Sequence, residues 1–186
     1  MTSEPSRLFT RLAQTDDDLR AAQRLRYEVF VRELGSDGAG VDHDLQLETD
    51  RFDPFFDHLL LIDRDAPATV PSGVVGVYRL LRQDQAFKIG QFYSEDEYDL
   101  TRLKTSGRKL LELGRSCLRP DYRGGAGMYL MWNALAEYVH HHEIEVLFGV
   151  ASFHGTDLDA LAEPLSLLHH RHLAPDDLQV RTVAAH

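Results

Sequence analysis

The sequence predicts an α+β domain, a mostly antiparallel central sheet with flanking helices. Three observations carry this. HLLLID from His58 and VVGVYRLLR from Val74 are apolar runs of strand length on either side of a proline-marked connector, DAPATVPSG, the pattern of an antiparallel hairpin. KLLELGRSCL from Lys109 is a third strand; it breaks at Arg119-Pro120 into a glycine-rich loop and then MYLMWNALAEYV, whose apolar residues recur at helical spacing. EVLFGVAS is a fourth strand, so strand, loop, helix and strand here form the one predicted parallel unit.

The remaining elements follow in chain order. Thr15 followed by Asp16, Asp17 and Asp18 reads as a helix N-cap with acidic residues complementing the dipole. The helix through DDLRAAQRLRYEVFVREL puts Leu19, Ala22, Leu25 and Val29 on one stripe, and Arg26 and Phe30 on a shared face. Gly35 to Gly40 ends it, and an acidic stretch carrying Glu48, Asp50 and Asp53 runs on without an obvious element, a length of loop that usually has a function. FKIGQFYSEDEYDL is ambiguous, a strand edge followed by a short helix. TDLDALAEPLSLLHHRH reads as a last helix, and APDDLQVRTVAAH carries a weak strand signal.

With 186 residues and 43% hydrophobic content, the chain is predicted to be one domain, 1–186, with a sizeable core. Its apolar runs are too short to cross a bilayer, and MTSEPSRLFTRL lacks the apolar core of a signal peptide, which predicts a cytoplasmic protein. The single Cys117 excludes an internal disulfide framework and a cysteine-rich zinc site. A net charge of −10 argues against a nucleic-acid partner. Between Leu100 and Gly125, however, seven basic residues (Arg102, Lys104, Arg108, Lys109, Arg115, Arg119, Arg123) face two acidic ones, Glu112 and Asp121. Either this is a solvated loop or it is a docking patch for an anionic partner.

Several residues are candidates for chemistry. Glu112 and Arg115 lie three apart on a strand, so a regular pleat points them to opposite faces; a bulge at Gly114 would bring them together and free a backbone N–H for a ligand. The loop Arg123, Gly124, Gly125, Ala126 and Gly127 opens a helix and is an expected anion site. His140 to His142 and His169, His170 and His172 sit at helix ends, where the dipole explains them better than a metal does. Ser152, His154 and Asp157 lie too close in sequence to form a hydrolase triad and read as helix capping, and Tyr129 and Trp132 read as core.

The strand and glycine loop resemble the donor site of the GCN5-related N-acyltransferase fold. Four segments sharpen this: RLRYEVFVRELG, ETDRFDPFFDHLLLID, VVGVYRLLR and LELGRSCLRPDYR are similar, in this order, to the ornithine lipid Nα-acyltransferases, and FYSEDEYDL and LFGVASFHGTD extend the likeness over most of residues 8–160. The same arrangement resembles the acyl-homoserine-lactone synthases through Arg26 and Phe30, Glu48, Asp50 and Asp53, Arg79, and Glu112 and Arg115. Leu34-Gly35 stands where that group usually carries tryptophan, which weighs against a synthase. Ala126 and Met128 depart from the usual acyltransferase loop pattern, which suits a phosphopantetheine arm hanging from a carrier protein.

The resemblance implies transfer of a 3-hydroxyacyl group from acyl carrier protein to the α-amine of L-ornithine, with no cofactor beyond the phosphopantetheine-linked donor and no metal. It implies Glu112 as base, directly or through water, backbone N–H groups from Gly114 to Ser116 for the oxyanion, and Arg115 in the catalytic group. Asp50 and Asp53 would hold the acceptor's amines and Arg26, Arg79 or Arg115 its carboxylate, with Phe30 and Glu48 also at the acceptor. Ser116, Cys117, Leu118, Arg123, Gly124, Gly125, Ala126 and Gly127 would bind the donor, and the acidic carrier would dock on the basic segment. It also leaves room for peripheral contact with the inner membrane. The family usually continues with more strand, so the chain is expected to be truncated at its C-terminus. The alternatives are a lactone synthase using S-adenosylmethionine and a non-catalytic module that binds acyl carrier protein.

Overall fold

The computed structural model describes residues 6–153 and 155–183. A five-stranded sheet organises them in the order β1 (Leu8–Leu12), β4 (Asp57–Asp63), β5 (Val74–Arg82), β7 (Leu110–Leu118) and β8 (Val146–Phe148). Each neighbouring pair is antiparallel except β7 and β8, as the strand–loop–helix–strand order predicts. Two small antiparallel pairs stand apart from it, β2 (Val41–Asp42) with β3 (Leu47–Glu48), and β6 (Tyr98–Asp99) with β9 (Arg181–Thr182).

Alternation along the strands sorts the core into two faces. Leu59 and Leu61 of β4, with Val75, Leu111 and Leu118, pack against α4 (Ala126–His141) through Met131, Leu135 and Tyr138. Leu60 and Ile62, with Val74, Val77 and Cys117, pack against α1 (Asp16–Arg26) through Ala21, Ala22 and Leu25. Thr15 caps α1 as expected, its hydroxyl accepting from the Asp18 N–H at 3.1 Å. The helix then widens into a π-helical turn over Tyr27–Glu33, in which the Leu34 N–H reaches five residues back to the Val29 carbonyl.

A third cluster, Phe52, Phe56, Leu81, Phe92, Leu100 and Leu110, closes the end of the sheet. It is reached by the ambiguous segment, which forms the end of α2 (Gln83–Ile89), a 3-10 turn at Tyr93–Asp96 and then β6, with the strand after the helix and not before it, and by α3 (Thr101–Thr105). Helix α5 (Leu158–Arg171) is capped by Asp157, which accepts from the Asp159 and Ala160 N–H groups; His154 lies outside the described residues. Tyr129 and Trp132 are not core. They are 68% and 52% exposed, because Gly127, Met131, Leu135 and Tyr138 form the stripe of α4 that meets the sheet and these two lie off it.

The ladder between β7 and β8 covers only Leu110 to Glu112. Beyond it Gly149 passes so close to β7 that an added Cβ would stand 2.3 Å from the Leu113 carbonyl oxygen, and no strand among the described residues pairs with that edge further on. Gly149→Ala should therefore destabilise the fold by about 1–3 kcal/mol, read as a lower urea midpoint with an unchanged m-value.

Candidate active site

The end of α1, the π-helical turn that follows it, the loop between β3 and β4, the middle of β5 and the middle of β7 meet in one cluster of charged side chains. Arg26 and Arg79 have no exposed surface. Arg26 donates to Glu48 Oε2 at 2.5 Å and to Asp53 Oδ1 and Oδ2 at 2.7 and 2.8 Å. Arg79 donates to the same Asp53 Oδ1 at 2.8 Å and to Asp50 Oδ2 at 2.6 Å. Gln23 Nε2 adds a bond to Asp53 at 2.9 Å, and His58 on β4 meets the Asp53 carbonyl. Burial would push the Asp53 carboxyl up, but the bonds and charges of Arg26 and Arg79 outweigh it and hold the group well below the usual carboxylate range. Asp53, Arg26 and Arg79 thus come together as expected and bond chiefly to one another and to Glu48 and Asp50, while the buried Arg79 Nε has no hydrogen-bond partner.

The bulge is present, one residue later than expected. Arg79 faces Gly114 and Val77 faces Cys117, so Arg115 and Ser116 oppose the single residue Tyr78. Arg115, with φ of +52°, takes the left-handed conformation that the extra residue requires. Its Nε donates to Glu48 Oε1 at 3.1 Å and its Nη2 to the Tyr93 hydroxyl at 3.2 Å, while the Phe30 ring lies 5.9 Å from its Cζ. At 31% side-chain exposure Arg115 is the one arginine of the three with surface to offer a ligand.

Glu112 is brought to the site, but its carboxylate is 1% exposed and filled by donors. It accepts from the Tyr93 and Ser94 N–H groups, each at 2.7 Å, and from the Ser94 hydroxyl. Burial pushes its pKa up against those bonds. Both carboxylate oxygens thus hold the turn at Tyr93-Ser94 in place. Tyr93 and Ser94 were missed in the sequence because their segment gave no clear periodicity; Glu112 and Arg115 both converge on Tyr93, whose ring also packs on Phe52 at 5.4 Å.

On the donor side, Cys117 and Leu118 turn their side chains into the core, and burial pushes the Cys117 thiol up to about 12, so only their backbones can meet a donor. Gly124 has φ of +74° and turns the chain, while Ala126 and Gly127 already belong to α4. Gly127 must stay small, since an added Cβ would lie 3.0 Å from the Tyr122 carbonyl oxygen. Most basic residues of the expected docking patch are paired: Lys104 with Glu95, Arg108 with Asp177, Lys109 with Glu143, Arg115 with Glu48, Arg119 with Glu28 and Arg123 with Glu33. Arg102 donates to the Asp176 carbonyl at 2.7 Å. Acidic residues distant in sequence neutralise all but one of the seven, and composition within the segment does not reveal them.

Beside β8 lies a cavity of about 460 Å³, lined chiefly by apolar residues such as Leu103, Phe148, Val150 and Leu178, with Ser94 at its wall. A mostly antiparallel sheet with one parallel strand pair, a buried charged cluster on β5 and β7, an apolar cavity beside β8 and a glycine loop at the helix start fit an acyltransferase of the GNAT class, and residues 25–133 match the acetyltransferase (GNAT) domain family. An L-ornithine N(alpha)-acyltransferase of Rhodobacter capsulatus is 59% identical over 97% of this chain and 70% of its own length. One from Brucella abortus is 45% identical over 95% of this chain and 63% of its own. The chain belongs to the L-ornithine N(alpha)-acyltransferase family. The structure of a CoA-dependent acyl-homoserine lactone synthase, BjaI, has a similar fold, with a TM-score of 0.56 at 18% identity over 86% of this chain and 72% of the other. No helix among the described residues is long and apolar enough to cross a membrane.

Asp53 has a folded pKa below its unfolded value of about 3.9, so its contribution to stability is present above that pH and is lost as pH falls toward the folded value. Asp53→Asn should lower neutral-pH stability by about 3–5 kcal/mol, because it removes the carboxylate charge that two buried arginines share and leaves each with one acidic partner. It should also flatten the acid limb of urea midpoints measured from neutral pH downward.

Proposed function

We propose that the protein transfers a 3-hydroxyacyl group from acyl carrier protein to the α-amine of L-ornithine, giving lyso-ornithine lipid, the first step of ornithine lipid biosynthesis. The observation that carries this reading is the apolar cavity of about 460 Å³ beside β8, whose wall includes Ser94, the hydroxyl partner of Glu112 on β7. The names of the family's relatives support the acceptor. A phosphopantetheine-linked thioester is the substrate, and its carrier is the macromolecular partner. The lipid product makes peripheral contact with the inner membrane part of the same reading.

In this reading the acyl chain lies in the cavity and the thioester carbonyl sits against the bulge at Arg115-Ser116, where backbone N–H groups stabilise the oxyanion. Arg115, half-open, takes the ornithine carboxylate, and Asp50 and Glu48 hold its amino groups. The neutral α-amine attacks the thioester carbon, the C–N bond forms and the C–S bond breaks. The amine's proton passes to water beside Asp50, and the thiolate leaves and is protonated by solvent. Glu112 is a positioning residue here: it fixes the turn that lays Tyr93 against Arg115.

The test is incubation of the protein with 3-hydroxyacyl carrier protein and, separately, ornithine, lysine or S-adenosylmethionine, followed by product mass. N-acyl-ornithine is expected; a lactone formed only with S-adenosylmethionine, or no product, overturns the reading. Leu178→Trp, which fills the cavity, should lower kcat/KM for long acyl chains more than for short ones, and an equal loss across chain lengths would place the chain elsewhere.

A further inference from the structure

The polar side chains on the wall of the cavity beside β8 are Ser94, Tyr98 and Gln179, and of these only Ser94 is buried, at 3% exposure. Gln179 spends its amide nitrogen on the Ala174 carbonyl at 2.9 Å and on Asp176 at 3.1 Å, and Tyr98 is open enough for water to serve it. Ser94 belongs to the end of the cavity next to β7. It is bonded to Glu112, which faces the wall residue Phe148 in the β7–β8 register, and the adjacent Tyr93 accepts from Arg115 at 3.2 Å. The turn that carries Ser94 thus joins the cavity to the half-open arginine at the bulge.

The Ser94 hydroxyl has one proton, and that proton is committed. Glu112 Oε1 accepts the Ser94 N–H at 2.7 Å and the Ser94 hydroxyl, while Oε2 accepts the Tyr93 N–H at 2.7 Å. A carboxylate met by three donors only accepts, so the proton between the two side chains is the serine's. Oγ is left with lone pairs, and the buried wall presents an acceptor without a donor. An apolar chain laid over it leaves that acceptor unpaired, whereas a ligand hydroxyl pairs it. A keto oxygen brings only lone pairs of its own and is repelled.

We propose that Ser94 selects a donor hydroxylated close to its carbonyl: the 3-hydroxyl donates to Ser94 Oγ, whose own proton is held by Glu112. This rests on the 3-hydroxyacyl donor reading above and adds which side chain reads the hydroxyl and which oxidation state it refuses. Glu112 then fixes the direction of that hydrogen bond as well as the place of the turn.

The test is calorimetric binding of carrier protein loaded with 3-hydroxyacyl, unsubstituted or 3-oxoacyl chains of one length, with no acceptor present so that nothing turns over. The wild type should bind the 3-hydroxyacyl carrier about tenfold more tightly than the unsubstituted one, and the 3-oxoacyl carrier no better than the unsubstituted one. S94A should bind the 3-hydroxyacyl and unsubstituted carriers equally, and S94T, which keeps a hydroxyl, should restore the preference. A ratio of two ligands on one preparation is independent of the folded fraction. Loss of the turn alone would weaken all three carriers alike and leave the ratio standing.

A wild type that binds the three carriers alike, binds none of them or favours the 3-oxoacyl chain would overturn the proposal, as would an S94A that keeps the preference for the hydroxyl. Product mass with ornithine, taken in parallel, separates the two readings. N-acyl-ornithine formed by a protein with flat ratios would keep the reaction and remove Ser94 as its reader. The expected ratios without N-acyl-ornithine would keep Ser94 and remove the acceptor.

Discussion

Two arginines sealed from solvent set the terms for everything around them. An uncompensated guanidinium in a protein interior costs several kcal/mol, so Arg26 and Arg79 can exist only where carboxylates meet them. Those carboxylates, Glu48, Asp50 and Asp53, come from a segment with almost no ladder of its own. Charge pairing does there what strand pairing does elsewhere: Asp53, shared between both guanidinium groups, ties the end of α1 to the middle of β5. The loop between β3 and β4 is therefore ordered by its ion pairs, and its sequence reads as acidic and irregular because its partners lie on other elements.

The second tier of the site hangs on that frame. Glu48 spans Arg26 and Arg115, so the buried cluster and the half-open arginine share one carboxylate. Arg115 reaches it by adopting a left-handed conformation, which costs a non-glycine residue about 1–2 kcal/mol. Regular pleating would have sent this side chain to the other face, against α4. The strain is held by the contacts it enables, to Glu48, Tyr93 and Phe30. Glu112 makes the same kind of contribution from below, spending a buried carboxylate to fix two backbone N–H groups and a hydroxyl, and through them the Tyr93 ring.

Strands β4, β5 and β7 were legible because alternation and apolar runs are local signals, and α1 because Thr15 and three aspartates mark its start. Strand β1 escaped, since LFTRL is half-exposed at the sheet edge and carries little apolar contrast. Helices α2 and α3 escaped for their brevity. The site was legible as a list, Arg26, Glu48, Asp50, Asp53, Arg79, Glu112 and Arg115, and illegible as a geometry: no spacing tells which carboxylate an arginine will choose from the far side of a fold. The position of the bulge was readable to within one residue because glycine suggested a break, whereas the residue that takes the strain is Arg115. The basic segment misled for the same reason as the acidic loop, for charge counted along the chain ignores charge folded onto it.

That cancellation bears on how a donor is recognised. The chain carries a net charge of −10, and the one segment whose composition promised a positive field is internally neutralised along nearly its whole length. Long-range steering of an acidic carrier has little to draw on when nearby opposite charges cancel within a Debye length. In the proposed reading, selectivity comes from contacts made after encounter, chief among them the apolar cavity beside β8. The ion pairs that blur the chain's electrostatic signature are thus the features that keep its arginines from attracting every anion that passes.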